Sequence, residues 1–293
     1  MPTLPQNTRM RDAQSLIWAV EGLNVAVPQQ LSNLCKNYEI LTQPAGSQDP
    51  ARTIVDAAIA GELTEGKIDE LCTAAAAQTS VAEYRSTLAR KSERLFLKRF
   101  HDALTEGEGD VILDGLRPLF DGAADKLRQA LDVVDTSATD EALVTSASTK
   151  ELNAWRSLPD LLHRLNQVAA IAASFGINSG TFPLIDNPRD RDITLKGNTR
   201  PLDDRAVMCA ANDIHAGTAI FANPHPVGDV RTSPWLRVTP KLHTLDEARE
   251  RVRAWAEEAW AGLDAVRSKT YSTINGELVE DTRVNPFRIN EPV

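Results

Sequence analysis

Leu113-Asp-Gly-Leu116-Arg-Pro118-Leu-Phe120-Asp-Gly-Ala123-Ala-Asp-Lys-Leu127-Arg-Gln-Ala130-Leu-Asp-Val-Val134 decides the fold class. Its apolar residues recur in alternating steps of three and four, which lines them along one face of an α-helix. Two further segments repeat the pattern: Leu158, Leu162, Leu165, Ala169, Ala172 and Phe175, then Leu245, Ala248, Val252, Trp255, Ala259 and Val266. Leu88, Leu95, Phe96, Phe100 and Leu104 suggest a fourth stripe. Narrow stripes of this kind belong to helices that bury one face against other helices, as in bundles and short coiled coils. Pro118 and Pro159 lie within two of the runs, where proline kinks a helix or marks its first turn.

The helix starts are punctuated. Asp49 before Pro50 is an N-cap followed by proline at the first helical position. Ser80-x-x-Glu83, Ser148-x-x-Glu151 and Thr244-x-x-Glu247 match the capping box, in which hydroxyl and carboxylate each satisfy a free backbone N–H of the first turn. Glu106-Gly-Glu-Gly-Asp110 reads as a tight link between two long helices. The helix before it is basic (Arg85, Arg90, Lys91, Arg94, Lys98, Arg99). The one after it is acidic (Asp110, Asp114, Asp121, Asp125, Asp132, Asp135), so antiparallel packing would give complementary flanks.

The texture of the chain changes at Gly176. Before it the sequence is alanine-rich and helix-periodic, and residues 1–176 hold 17 basic and 24 acidic groups. After it the chain is rich in Pro, Asn, Asp and Gly, and residues 177–293 hold 15 basic and 17 acidic groups. We therefore expect a helical domain over 1–176 and a smaller, irregular α+β domain over 177–293. In the second, Asn187-Pro188, Asn223-Pro224 and His225-Pro226 mark turns. Thr218 to Ala222 and Trp235 to Val238 suggest short strands. A helix spans about 244–268, and Asn275-Gly276 between two alternating runs signals a β-hairpin. Residues 284–293, with Pro286, Phe287, Ile289 and Pro292, read as an extended arm whose apolar side chains seat in a groove.

Composition narrows the function classes. Of 293 residues, 42% are hydrophobic and 25% charged, with a net charge of −9. That fits a globular chain with a real core and argues against disorder, a disulfide scaffold or a nucleic-acid coat. No apolar run approaches the roughly 18 residues of a membrane span, and residues 1–10 lack the pattern of a secretory signal. Cys35, Cys72 and Cys209 are odd in number and scattered, which suits a reducing compartment and synthesis in the cytoplasm.

Catalytic motifs are thin. Gly61-Glu-Leu-Thr-Glu-Gly66-Lys67-Ile68 nearly matches a phosphate loop, but Ile68 replaces the hydroxyl that holds magnesium and the lead-in is helical, so a helix-to-helix turn is expected. There is no G-x-S-x-G, no H-E-x-x-H and no pair of C-x-x-C knuckles. Cys209, Asp213, His215 and His225 could together ligate zinc, yet their spacing matches no common module, and no tight metal site is expected. Asp186, Arg189, Asp190, Arg191 and Asp192, and Asp203, Asp204 and Arg205, read as ion-paired turns, helix caps or interface contacts. His101 and His163 read as boundary residues of helix packing. Trp255 and Trp260, five apart on one helix, point about 140° apart. One can serve the core, and the other then faces an interdomain or intersubunit contact, as tryptophan does at interface anchors. Trp255, Trp260, Phe287 and Ile289 are the candidate interface residues; no catalytic, cofactor or metal residues are assigned.

Glu151-Leu-x-Ala-Trp155-Arg-x-Leu-Pro159, followed by an alanine-rich helix ending at Gly176, resembles uncharacterised helical proteins of actinobacterial phages and prophages. Arginine in excess of lysine and abundant alanine fit a GC-rich genome. The likeness covers mainly the helical part and carries no catalytic residues across; it implies a role in particle structure or assembly, with incorporation in a virion. The expected protein is mainly α and structural, packing with itself or a larger assembly, with no membrane partner and no nucleic acid. The alternatives are a metal-assisted hydrolase with its site in 177–243, and a nucleic-acid accessory protein using the basic helix 85–99.

Overall fold

The structure is a computed structural model that describes residues 3–42, 50–62, 64–137, 140–177, 180–187, 202–211, 221, 230–266, 271–274 and 277–280. The first helices are α1 (Met10–Gly22), α2 (Gln29–Thr42), α3 (Pro50–Ile59) and α4 (Glu65–Ala103). A π-helical turn, Leu104–Glu108, leads into α5 (Gly109–Leu131), followed by α6 (Asp140–Ser146) and α7 (Thr149–Ala173). Then come α8 (Asp204–Cys209), two 3-10 turns (Val230–Thr232 and Pro234–Leu236), α9 (Leu245–Val266) and the strands β1 (Tyr271–Ile274) and β2 (Glu277–Glu280). The protein is mainly α. Among the described residues strand is confined to that one antiparallel hairpin, in which Ile274 faces Glu277 across Asn275-Gly276, so no α+β layer forms.

The opening stripe is the spine of the core. Leu113, Leu116, Phe120, Ala123, Leu127, Ala130 and Val134 are all buried, as are Leu158, Leu162, Leu165, Ala169, Ala172 and Phe175 of the α7 stripe and its extension. The two faces meet: α5 makes its most extensive packing with α7. Both prolines lie well inside their helices, Pro118 in α5 and Pro159 in α7, and not in a first turn. Leu245, Ala248, Val252 and Trp255 of α9 join the same apolar cluster. So do Phe182, Leu184, Met208 and Trp235, so the core continues across Gly176.

Two capping boxes form as read. The Ser148 hydroxyl accepts from the Glu151 N–H while Glu151 accepts from the Ser148 N–H. Thr244 and Glu247 exchange the same pair of bonds. The third does not form, because Ser80 and Glu83 lie inside α4, where Ser80 begins no helix. Helix α3 does start at Pro50, whereas Asp49 lies outside the described residues. The phosphate-loop lookalike is the turn between α3 and α4: Gly61 takes φ 71°, the Thr64 hydroxyl caps the Lys67 N–H, and Lys67 pairs with Glu62 at 3.0 Å.

Three expectations need correction. The basic helix α4 does not take the acidic helix α5 as its main partner; α4 packs chiefly on α2 and α3, and α5 on α7. The link between α4 and α5 is a π-turn broken at Gly107, whose φ of 129° only glycine adopts readily. That geometry sends α5 away towards α7. The fourth stripe mixes two faces, because Phe100 and Leu104 are buried while Leu88 and Leu95 are exposed. Trp235 to Val238 is not a strand: Pro234 opens a 3-10 turn there, with Ser233 as its N-cap residue. Of the other expected strand, Thr218 to Ala222, only Phe221 lies within the described residues.

Candidate interaction surface

Among the described residues, no side chain of α3 or of α4 before Ala89 is buried. Helix α4 has 39 residues, about 58 Å at 1.5 Å per residue. Its C-terminal part is anchored: Phe96 stacks edge-on against Tyr38 of α2, and Glu93 accepts the Met10 N–H and pairs with Arg9 at 3.5 Å. Its first buried hydrophobic residue is Ala89. From Glu65 to Leu88 none of the described side chains is buried, and the short α3 is among the helices that pack on α4.

Two faces of α4 can be separated by burial. The inner face carries Leu71, Ala75, Ala89, Phe96 and Phe100, half-buried or buried. A second series, Ala74, Ala77, Val81, Tyr84 and Leu88, runs at alternating steps of three and four about one residue out of phase, hence roughly 100° around the helix. All five are exposed, and Leu95 continues the line. Tyr84 is 70% exposed and Leu95 62%. A solvated helix face normally alternates charges, whereas this one carries an apolar series. The sequence reading placed Leu88 and Leu95 in one stripe with Phe96, Phe100 and Leu104 and did not single out Ala74 to Tyr84; the signal that separates the two faces is a phase difference of one residue.

A second open feature lies against α1. A groove of about 460 Å³ runs between α1 and α7, lined by Leu16, Trp18, Leu23, Ile171 and Phe182, with Asp12 among its polar wall residues. Trp18 is 66% exposed beside it.

The four candidate interface residues separate differently. Trp255 is buried in the core cluster, so it takes the core share of the α9 pair and is not an exposed anchor. The Trp260 side chain, Phe287 and Ile289 lie outside the described residues. Trp155 is half-buried under the Arg231 guanidinium, 4.9 Å from its ring centre.

The polar candidates of the C-terminal region serve structure where they are described. Asp203 caps α8 through the Arg205 and Ala206 N–H groups and pairs with the Arg205 side chain. Asp204 is buried and accepts the Ile177 N–H at 2.7 Å. Asp213, His215, His225 and residues 189–192 lie outside the described residues, and among the described residues no cluster of three or more metal-ligating side chains occurs. Cys209 is fully buried, and burial, reinforced by the Asp203 charge, pushes its thiol far up, so it is not a reactive thiolate. Cys35 is likewise raised, to about 11, by burial and then by Glu21. His163 is exposed, whereas His101 is buried with its Nε2 2.8 Å from the Pro183 carbonyl.

One buried histidine was missed. His243 places Nδ1 3.2 Å from Glu247 and Nε2 against Arg251 and the Ala210 carbonyl, which Arg251 also reaches. In a neutral ring with Nδ1–H donating to Glu247, Nε2 accepts from Arg251 and the Ala210 carbonyl takes its hydrogen bond from Arg251 instead. Burial, then the Arg251 charge, holds its pKa below the usual 6.5. Glu247 is held at about 2, chiefly by its bond from Lys241. The unfolded chain therefore takes up the His243 proton first on acidification. Stability falls as pH drops below about 6.5 and stops falling from this source below the lowered folded value. Urea unfolding of His243→Gln between pH 7.5 and 5 should show a shallower loss than the parent; an identical slope would mean that the ring titrates alike in the folded and unfolded chains.

Among the described residues no helix is long and apolar enough to cross a membrane. No protein-family model, curated protein or solved structure matches this chain.

Proposed function

We propose that the chain is a structural interaction protein that packs with itself or within a larger assembly. The observation that carries this reading is the α3–α4 hairpin, which extends from the core with the apolar series Val81, Tyr84 and Leu88 exposed. The open groove beside Trp18 supplies a second contact area. The apolar residues of the C-terminal segment, Phe287 and Ile289, together with Trp260, are further contacts in this reading. The likeness of residues 151–159 to phage and prophage proteins supports placing that assembly in a phage particle or its construction.

The test is the native mass by sedimentation across a range of concentrations, with and without the products of neighbouring genes. A mass above the 32.0 kDa of one chain is expected in at least one of those conditions. A single-chain mass in all of them overturns the reading.

A further inference from the structure

Charge along the α3–α4 hairpin is graded. Its tip carries Glu62, Glu65, Asp69 and Glu70, with Lys67 already paired to Glu62. Nearer the body α4 carries Arg85, Arg90, Lys91 and Arg94. Asp69, Glu70, Arg90 and Lys91 are exposed, and none of the four is in an ion pair among the described residues. The acidic partner that the sequence suggested for this basic stretch, α5, packs on α7 instead. The apolar series from Ala74 to Leu88 lies between the two charged ends of α4.

We propose that this outward series of α4 pairs antiparallel with the same series of a second copy of the chain, setting the acidic tip of each hairpin on the basic root of the other. The proposal rests on the interaction-protein reading and names its partner. A two-fold axis near residue 79 sets the small Ala74 against Tyr84 of the second copy and Ala77 against its Val81. Small-on-large pairing of this sort lets two helices interdigitate at 8–10 Å. Glu70 then lies beside Leu88 of the second copy, within reach of its Arg85 and Lys91. A parallel pairing would instead place tip on tip and root on root, with like charges facing along both ends, which is costly.

The test uses the full chain and two charge reversals on exposed residues. Asp69→Lys with Glu70→Lys reverses the tip; Arg90→Glu with Lys91→Glu reverses the root. The parent is expected at about twice the 32.0 kDa chain mass, weakening as salt rises. Each reversed protein alone should dimerise at least roughly tenfold more weakly, because tip and root then repel in both contacts. Mixing the two in equal amounts should restore the dimer, since each tip again meets an opposite root; such restoration also requires both variants to be folded. The pairing is overturned if either reversal leaves the parental mass unchanged, or if the mixture stays at one chain. Loss on root reversal with a silent tip reversal overturns it too, because the acidic tip then is not what the root meets. An oligomer indifferent to both reversals removes this pairing but leaves the interaction reading standing. A parent of single-chain mass at all concentrations removes self-association itself.

Discussion

Replacing Trp235 with alanine is expected to destabilise the protein by about 3–5 kcal/mol, the range for truncating a buried aromatic side chain. Trp235 is 1% exposed. Its ring centre lies 5.9 Å from that of Phe120 in α5 and 5.1 Å from that of Phe221, both edge-on, and its Nε1–H donates to Asn166 of α7 at 2.7 Å. One side chain thus ties the two central helices to the chain beyond Gly176. Trp235→Phe keeps most of the packing and loses the donor, so a smaller loss of about 0.5–1.5 kcal/mol is expected. Urea unfolding followed by circular dichroism measures both. A Trp235→Ala loss under about 1 kcal/mol would show that this ring does not lock the C-terminal segment to α5 and α7.

Gly176→Ala should be comparably damaging for a different reason. A β-carbon there would lie 2.2 Å from the Asp204 carboxyl carbon, far inside contact distance. Asp204 is 2% exposed and its carboxylate holds the Ile177 N–H. The added methyl must displace it, combining overpacking of about 1–3 kcal/mol with a broken charge-assisted hydrogen bond of about 1.5–3 kcal/mol. Gly122→Ala is the matched control: it lies in α5 with no atom within 4 Å of the new β-carbon, and should stabilise by about 0.5–1 kcal/mol. Equal effects of the two substitutions would refute the close approach at Gly176.

The helices α5, α7 and α9 were legible because each carries its own evidence: an apolar period that matches the helix, and for α7 and α9 a capping box at the start. Periodicity and local hydrogen bonding act within a few residues, so a linear reading captures them. The Asn275-Gly276 hairpin was legible for the same reason. What failed was everything that depends on a partner distant in sequence. Ser80 and Glu83 have the letters of a cap, but uninterrupted helix on both sides leaves no free N–H for them to satisfy. Trp235 to Val238 has strand-forming residues, but among the described residues no strand runs beside it to take up the backbone bonds.

The candidate surface shows the same division. Sequence alone placed one apolar stripe over 88–104 and a basic stretch over 85–99, with a helix start misplaced at Ser80; that α4 runs unbroken from Glu65 to Ala103 came from the structure. Only the tertiary structure decided which face is covered, because burial depends on where α2 and α3 lie and on the turn at Gly107 that carries α5 off to α7. Leu88 and Phe100 belong to the same apolar class but lie about 120° apart around α4; the first is exposed and the second buried because only the face that carries Phe100 meets the core. Trp255 and Trp18 divide likewise, one drawn into the shared core by the docking of α9 and the other left at the rim of a groove. A helix's period is set by its own backbone, whereas the choice among its faces belongs to whatever packs against it.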